Sequence, residues 1–85
     1  MSYRVVILPS AKKELEAISS PFFEKVEERM LSLAKDARPP GCEKMTDGEG
    51  TWRIRCGNYR IVYEINDTAK IVTIQRVGHR REIYR

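Results

Sequence analysis

With 85 residues and a formal net charge of +4, the chain has the size of one small domain. This length excludes a cofactor-binding domain joined to a separate substrate domain, so we expect residues 1–85 to form a single domain that uses no cofactor. No stretch is long and apolar enough to cross a membrane, and the first residues lack the apolar core of a signal peptide. The sequence therefore predicts a cytoplasmic protein.

The N-terminal part of the chain predicts one strand followed by two helices. Residues 3–8 (YRVVIL) are apolar and rich in β-branched side chains, and Pro9 ends this strand. Ser10 is the expected N-cap of the first helix, and Pro21 is the expected first residue of the second. Each helix carries an apolar stripe at helical spacing, which we expect to face the core. The stripes consist of Ala11, Leu15 and Ile18, and of Phe22, Val26, Met30 and Leu33.

Three further strands are predicted after residues 36–51, a long segment that is rich in glycine and proline and has no clear period. These strands span residues 52–56, 59–65 and 71–77, and tight turns join them at residues 57–58 and 66–68. The predicted fold class is α+β. It comprises an N-terminal strand, a two-helix hairpin and a three-stranded antiparallel meander, with the strands in one small sheet.

The positive charge is concentrated in the second half of the chain. Residues 1–50 carry eight Lys/Arg and nine Asp/Glu, a net charge of −1, whereas residues 51–85 carry eight Lys/Arg and three Asp/Glu, a net charge of +5. Seven of the eight basic residues in the second half are arginines. Guanidinium groups bind phosphate and carboxylate oxygens in a planar, bidentate geometry, so this composition favours recognition of such anions over a merely solvated basic face.

Strand alternation predicts that several of these arginines share one face of the sheet. In residues 52–56 (WRIRC), Arg53 and Arg55 lie opposite the apolar side chains, about 7 Å apart by strand rise. This separation resembles the spacing of successive phosphates along a single nucleic-acid strand. Arg60 follows the next turn and Arg80 follows the last strand, so both are expected to join the cluster. Four arginines on one exposed face repel one another unless an anion binds there.

Two side chains near the C-terminal end are candidates for proton transfer. His79 is the only histidine, and imidazole is the side chain that titrates near neutral pH. Tyr84 carries a phenol, whereas guanidinium groups are poor proton shuttles because their pKa is above about 12. The simpler alternatives are that His79 only hydrogen-bonds the backbone at a turn and that Tyr84 only docks the tail onto the sheet.

The sequence indicates no metal site. Cys42 and Cys56 have neither metal-ligand spacing nor a disulfide pattern, and no cluster of acidic residues has metal-binding spacing. RNA supplies its own nucleophile, the 2′-hydroxyl, so its cleavage needs a base, an acid and cations that stabilise the phosphorane. For an RNA substrate, these residues predict a metal-independent cleavage that leaves a 2′,3′-cyclic phosphate (or a 3′-phosphate) and a 5′-hydroxyl.

The same residues resemble a known family. The run TWRIRCGNYRIVYEIND, followed by IVTIQRVGHRREIYR, is similar to the RelE/ParE superfamily of type II toxins, and most of all to RelE-like ribosome-dependent mRNA endoribonucleases. The family pattern is a basic-x-basic strand, a glycine turn, a Y-R-hydrophobic-hydrophobic-Y strand and a V-G-[HK]-R segment followed by a tyrosine. The opening YRVVILPSAKKELEAI and the helix hairpin extend the similarity to essentially the whole chain. Relative to RelE proper, two residues are missing between Arg80 and Tyr84, and we expect no C-terminal helix of the kind that some RelE proteins have.

The resemblance implies the toxin of a type II toxin-antitoxin system, which halts translation and growth by cutting mRNA in the ribosomal A site. Its implied partners are a cognate antitoxin, mRNA and ribosomal RNA. Two alternatives remain open: a ParE-like toxin that binds DNA gyrase without nuclease chemistry, and a non-catalytic nucleic-acid-binding module. The implied catalytic residues are Arg53, Arg55, Arg60, His79, Arg80 and Tyr84. The implied RNA-binding residues are Lys44, Arg76, Arg81 and Arg85.

Overall fold

The computed structural model describes residues 2–45, 50–79 and 81 of the chain. The α+β class predicted from the sequence is confirmed, and none of the described helices is long and apolar enough to cross a membrane. The described elements are, in chain order, β1 (Arg4–Ile7), α1 (Pro9–Glu16), α2 (Phe22–Ser32), β2 (Glu43–Lys44), β3 (Thr51–Cys56), β4 (Tyr59–Asn66) and β5 (Ile71–His79).

The strands form one mixed five-stranded sheet in the order β1-β5-β4-β3-β2. β3, β4 and β5 form the expected antiparallel meander, and β1 pairs in parallel with β5. The predicted sheet lacked β2, which pairs with β3 within the segment that was expected to be a loop. β2 consists only of Glu43 and Lys44, so it has neither the length nor the apolar alternation by which a strand is recognised in a sequence.

The helices begin at slightly different residues from those predicted. α1 begins at Pro9 rather than after a Ser10 cap, because proline suits the first helical position, where its missing N–H costs no hydrogen bond. α2 begins at Phe22, and Pro21 precedes it as the N-cap. Phe22, which was expected in the core, is 51% exposed. Its neighbour Phe23 is partly buried and packs against the core.

Both helices pack on one face of the sheet, where the strands alternate inward-facing apolar residues. Tyr63 is fully buried there, and its hydroxyl donates a hydrogen bond of 2.9 Å to the carbonyl oxygen of Ala37. Burial raises the pKa of this phenol well above its ordinary value. The helices contribute Ala11, Leu15, Val26 and Met30 to the core, Ile18 and Leu33 follow directly after them, and the strands contribute Ile54, Ile61, Tyr63, Ile65, Val72, Ile74 and Val77.

A β-bulge in the pairing of β4 with β5 changes which side chains face the helices. Val62 pairs with Arg76, but the next residue, Tyr63, pairs with Ile74, so Gln75 is an extra residue in β5. Ile74 and Val77 are both buried in the core although three positions separate them. Beyond the bulge, residues 77 and 79 therefore face the helices, and residues 76 and 78 face the opposite side.

A carboxylate in the turn between β4 and β5 ties three segments together. Asp67 accepts two hydrogen bonds from the Arg38 guanidinium, at 3.2 and 2.9 Å, and one of 2.6 Å from the Tyr3 hydroxyl. The same guanidinium lies over the Trp52 ring of β3, 5.1 Å from its centroid. The hydrogen bonds from Arg38 lower the pKa of Asp67 to about 2. This cluster joins the start of β1, the segment after α2 and the sheet.

Candidate nucleic-acid interface

Four arginines share the face of the sheet opposite the helices, which we call the arginine face. Directly paired residues of neighbouring strands place their side chains on the same face. Across β3, β4 and β5 one such row consists of Arg53, Val62 and Arg76, and the next row of Arg55, Arg60 and Gly78. The prediction that Arg53, Arg55 and Arg60 share one face agrees with this register, and the bulge adds Arg76 to them.

Arg55 and Arg60 lie directly opposite each other at the hairpin end of the sheet. Arg55 is exposed, but Arg60 is only 8% exposed, so the expectation that all the clustered arginines face solvent is wrong for Arg60. The Arg60 Nη1 donates to the Tyr59 carbonyl oxygen at 3.3 Å. None of the described carboxylates forms an ion pair with either arginine. Like charges directly opposite each other are destabilising, and a buried charge is costly without a counter-ion, so this pair favours a bound anion.

The other two arginines of this face have carboxylate partners. Arg53 lies 3.5 Å from a carboxylate oxygen of Glu43, its neighbour on β2. Arg76 contacts Glu14 of α1 at 3.0 Å, and the second carboxylate oxygen of Glu14 accepts a 3.0 Å hydrogen bond from the backbone N–H of Val77. Glu14 thereby satisfies an amide on the part of β5 that extends beyond β1. Arg53 and Arg76, whose charges are partly neutralised, thus lie in the row next to the Arg55–Arg60 pair.

His79 faces the helices and does not share the arginine face. It pairs with Tyr59, whose ring meets the imidazole edge-on at a centroid distance of 5.7 Å. Its Nδ1 accepts a hydrogen bond of 3.3 Å from the backbone N–H of Arg81. The two rings line a cavity of about 400 Å³ together with Glu14 and apolar residues. Simple alternation along β5 places His79 among the arginines, but the extra residue at Gln75 reverses its side.

The remaining candidates are spread over other places. Lys44 is exposed on the edge strand β2 and pairs with Trp52, which places it on the helix side of the sheet. Arg81 is exposed. In the described part of the chain, no three His, Cys, Asp or Glu residues come close enough to hold a metal ion. The predicted site residues Arg80, Tyr84 and Arg85 lie outside the described residues.

Three residues of this region did not emerge from the sequence as candidates. In the sequence, Glu14 and Glu43 look like ordinary acidic residues of a helix and a loop. Only the structure shows that they contact Arg76 and Arg53. Gly78 belongs to the V-G-[HK]-R segment, and only the strand pairing shows that it lies beside Arg60. In each case the missing information is the long-range pairing, which a periodic pattern within one segment does not contain.

Comparisons with known proteins cover nearly the whole chain. A family model described as "ParE toxin of type II toxin-antitoxin system, parDE" matches residues 5–84. Toxin RelG of Mycobacterium tuberculosis is 31% identical over 86 residues, which is 100% of this chain and 99% of that protein. Both matches extend over both helices and over all the described strands, except that the family model begins one residue after the start of β1.

Solved structures of RelE proteins have the same fold. The toxin-antitoxin complex RelBE2 from Mycobacterium tuberculosis contains a chain with a TM-score of 0.81 and 28% identity, covering 94% of this chain and 100% of that one. A RelE–RelB complex from Pyrococcus horikoshii gives a TM-score of 0.83 at 24% identity, covering 96% of this chain and 99% of that one. The family match, the relative and the shared fold confirm the resemblance inferred from the sequence: the chain belongs to the ParE toxin family, within the RelE/ParE superfamily of type II toxins.

Proposed function

We propose that this toxin is a ribosome-dependent endoribonuclease that acts in the cytoplasm and cleaves mRNA in the ribosomal A site. The observation that carries the proposal is the Arg55–Arg60 pair, two cations directly opposite each other with no described carboxylate as partner. A phosphodiester is an anion whose paired oxygens match guanidinium geometry. The similarity to RelE proteins adds the class of reaction as an expectation.

The proposed mechanism assigns charge stabilisation to the arginines. The 2′-hydroxyl of the substrate attacks the adjacent phosphorus, the 5′ oxygen of the next nucleotide leaves, and the products carry a 2′,3′-cyclic phosphate and a 5′-hydroxyl. Arg55 and Arg60 hold the non-bridging oxygens, whose negative charge increases in the phosphorane. Arg53 lies in the adjacent row, and we propose that Arg80 joins the set. No step of this mechanism requires a metal ion or a cofactor.

Proton transfer is assigned to His79 or Tyr84. One group must accept the 2′ proton and another must donate a proton to the leaving 5′ oxygen. The His79 ring lies on the helix side of the sheet, so RNA bound to the arginine face would have to pass around the end of β5 to reach it. This placement favours Tyr84 for direct proton transfer and a positioning role for His79.

Two macromolecular partners belong to the proposal. A domain of this size offers few contacts for reading a base sequence, so the ribosome is expected to orient the mRNA. Lys44, Arg76, Arg81 and Arg85 are proposed to contact mRNA or ribosomal RNA. A cognate antitoxin is the second partner, because the similar structures from Mycobacterium tuberculosis and Pyrococcus horikoshii are toxin-antitoxin complexes.

Cleavage on the ribosome tests the proposal directly. Purified toxin is incubated with ribosomes that hold a defined codon in the A site, and primer extension locates breaks in the mRNA. We expect breaks within the A-site codon, and end analysis should find a 5′-hydroxyl on the downstream fragment. The proposal would be contradicted if the wild-type toxin arrests growth when it is expressed but leaves the mRNA intact in this assay.

Gyrase inhibition is the second candidate function. It is favoured by the description of the matching family as ParE toxin, and by the position of His79 away from the arginine face. This reading assigns the arginines to binding alone, without chemistry on RNA. A supercoiling assay with purified DNA gyrase separates the candidates: inhibition of gyrase together with intact mRNA supports the second, and cleaved mRNA with normal supercoiling supports the first.

A further inference from the structure

Gly78 occupies a position where the described residues give no structural reason for the absence of a side chain. It lies within β5, directly opposite Arg60, and completes the row that begins with Arg55. Three glycines of the described chain, Gly41, Gly50 and Gly57, have a positive φ that other residues rarely adopt, but Gly78 does not belong to them. Its backbone is ordinary strand, which β-branched residues prefer.

Crowding does not explain this glycine either. A Cβ atom built on Gly78 meets no atom of the described residues within 4 Å. For comparison, a Cβ on Gly50 would lie 3.3 Å from the Ile65 carbonyl oxygen, a tight contact that the backbone itself imposes. Glycine inside a strand weakens it, and where neither bulge nor backbone contact is involved it often marks the close approach of a ligand.

The neighbours of this open position define the ligand. On the arginine face it adjoins Arg60, which is buried and has only the Tyr59 carbonyl oxygen as its described hydrogen-bond acceptor. Next in the row is the exposed Arg55. A ligand that fills the space above Gly78 therefore carries negative charge within reach of these guanidiniums, and it must be thin enough to lie against bare backbone.

We propose that the space above Gly78 holds the sugar-phosphate backbone of the bound RNA, so that Gly78 is a substrate-contacting residue. This inference rests on the proposed function and assigns the direction in which RNA crosses the sheet, from β3 over β4 to β5. The phosphate lies at Arg55 and Arg60, and the adjacent ribose lies against Gly78. A side chain at this position would displace the ribose while leaving the arginines in place.

Filling the space with a side chain tests the inference. Gly78→Ala and Gly78→Val place one and three carbons above the strand, and the melting temperature should stay unchanged or increase because both residues suit a strand better than glycine. The matched control is Thr73→Val, which places a valine on the same strand and the same face, in the row of Glu64 and away from the arginine pair. Binding is measured by fluorescence anisotropy with a short RNA that carries 2′-O-methyl groups and is not cut. Cleavage is measured separately on A-site mRNA.

Gly78→Val should reduce kcat/KM by about 10²-fold, since displacement of a substrate by about 1 Å has effects of this size, and Gly78→Ala should give a smaller loss. RNA binding should weaken in the same order, while Thr73→Val keeps parental values. A folded Gly78→Val that binds RNA like the parent would overturn the inference even if the parent cuts mRNA. Conversely, if the parent binds RNA but cuts none, the proposed function fails, and weaker binding by Gly78→Val still supports the inference. A parent that neither binds nor cuts RNA overturns both.

Discussion

Among the four arginines of the arginine face, the burial of Arg60 singles out the Arg55–Arg60 pair as the candidate anion site. Lysine or arginine on an exposed strand face is ordinary, but Arg60 as a whole residue is only 8% exposed, so its side chain loses part of its hydration. One backbone carbonyl at 3.3 Å replaces only part of it. Arg55 stands opposite and adds repulsion rather than compensation. This pair is therefore the proposed anion-binding site, whereas Arg53 and Arg76 have carboxylate partners.

Substitution of the paired arginines should separate catalysis from general charge. Arg55→Ala and Arg60→Met should each reduce mRNA cleavage by about 10²–10³-fold, since each removes a preorganised contact to the phosphorane. Methionine is chosen for the buried Arg60 because it retains the apolar stem and avoids a cavity. Arg4→Ala is the matched control: Arg4 is exposed on the same side of the sheet, paired with Ile71 at the far end, and carries the same charge.

Cleavage rates and melting temperatures of these three variants provide the readout. Arg4→Ala should stay within about a few fold of the parent, because screening at physiological salt limits its influence across the sheet. Equal losses in all three variants would mean that only the overall charge matters. Parental rates in both Arg55→Ala and Arg60→Met would remove the arginine pair from the chemistry.

The proton-transfer candidates can be separated by their effects on the pH dependence of cleavage. Tyr84→Phe retains the ring but removes the hydroxyl, and we expect it to lose about 10²–10⁴-fold if Tyr84 transfers a proton. His79→Ala should lose less, and its pH–rate profile should keep the inflections of the parent, because the imidazole contacts Tyr59 and the Arg81 amide on the helix side. A profile that loses its inflection in His79→Ala, with Tyr84→Phe fully active, would assign the chemistry to His79 instead.

The sequence identified the candidate residues of the site more reliably than the face of the sheet on which each one lies. Alternation within β3 correctly places Arg53 and Arg55 opposite the apolar residues, because that strand is regular. The same rule fails for His79, since the bulge at Gln75 shifts every following side chain to the other face. A bulge arises from pairing between strands. The consecutive polar residues Gln75 and Arg76 interrupt the alternation, but only the register with β4 shows which face the following residues occupy.

At the level of elements, two ion pairs hold the edges of the sheet. Glu14 joins α1 to β5 through both the Arg76 side chain and the Val77 amide, where β1 no longer covers the edge. At the other edge, Glu43 on β2 contacts Arg53 of β3. Exposed strand edges invite pairing with other chains, and charged side chains at an edge discourage it. The two-residue β2 thus gives the sheet a short, charged edge, and the sequence of this segment does not predict it.

The Asp67 cluster joins the turn after β4 to both Tyr3 and Arg38, and it makes stability depend on pH. The hydrogen bonds from Arg38 lower the pKa of Asp67 from its ordinary 3.8 to about 2 in the folded state. Between these values the unfolded chain binds more protons, so stability increases with pH. The stabilisation is fully present above the ordinary pKa and is lost as the pH falls through about 2. Because the side chain is half exposed, solvent screening keeps the effect modest.

Urea unfolding of Asp67→Asn at several pH values measures this contribution. The variant should unfold at lower urea concentration than the parent near neutral pH, and the difference should shrink as the pH falls from about 4 to about 2. Glu64→Gln is the control, because it removes a carboxylate from the neighbouring strand without touching Arg38. A difference between Asp67→Asn and the parent that is constant down to the lowest pH would contradict the assigned role of the ion pair.

For the whole molecule, the sequence predicted the class and order of elements but only part of the sheet. The β-branched runs, the helical stripes and the glycine turn at residue 57 identify four strands and two helices, because each is a local pattern. The parallel pairing of β1 with β5 and the short β2 depend on contacts between distant segments. The family resemblance supplied what local patterns lack, since it compares the order and spacing of all elements at once.

The uneven distribution of charge predicts how an antitoxin recognises this toxin. Residues 51–85 carry a net charge of +5 and include all four arginines of the arginine face, whereas residues 1–50 carry −1. An antitoxin that covers this face is therefore expected to present acidic residues there. Association with such a partner is accelerated by attraction between opposite charges, and salt screens this attraction.

Stopped-flow association with the product of the neighbouring antitoxin gene tests this prediction. The association rate constant should fall at least about tenfold as salt rises from about 0.05 to about 0.5 M, because the Debye length shrinks from above 10 Å to a few ångströms. Arg55→Ala should flatten this dependence more than Arg4→Ala, although both remove one positive charge, because only Arg55 lies beside Arg60 on the arginine face. Equal slopes for the two variants would mean that the antitoxin binds elsewhere on the toxin. An association rate that does not depend on salt would exclude electrostatic recognition of the arginine face, and the antitoxin would then have to inhibit by displacing the segment that carries Tyr84.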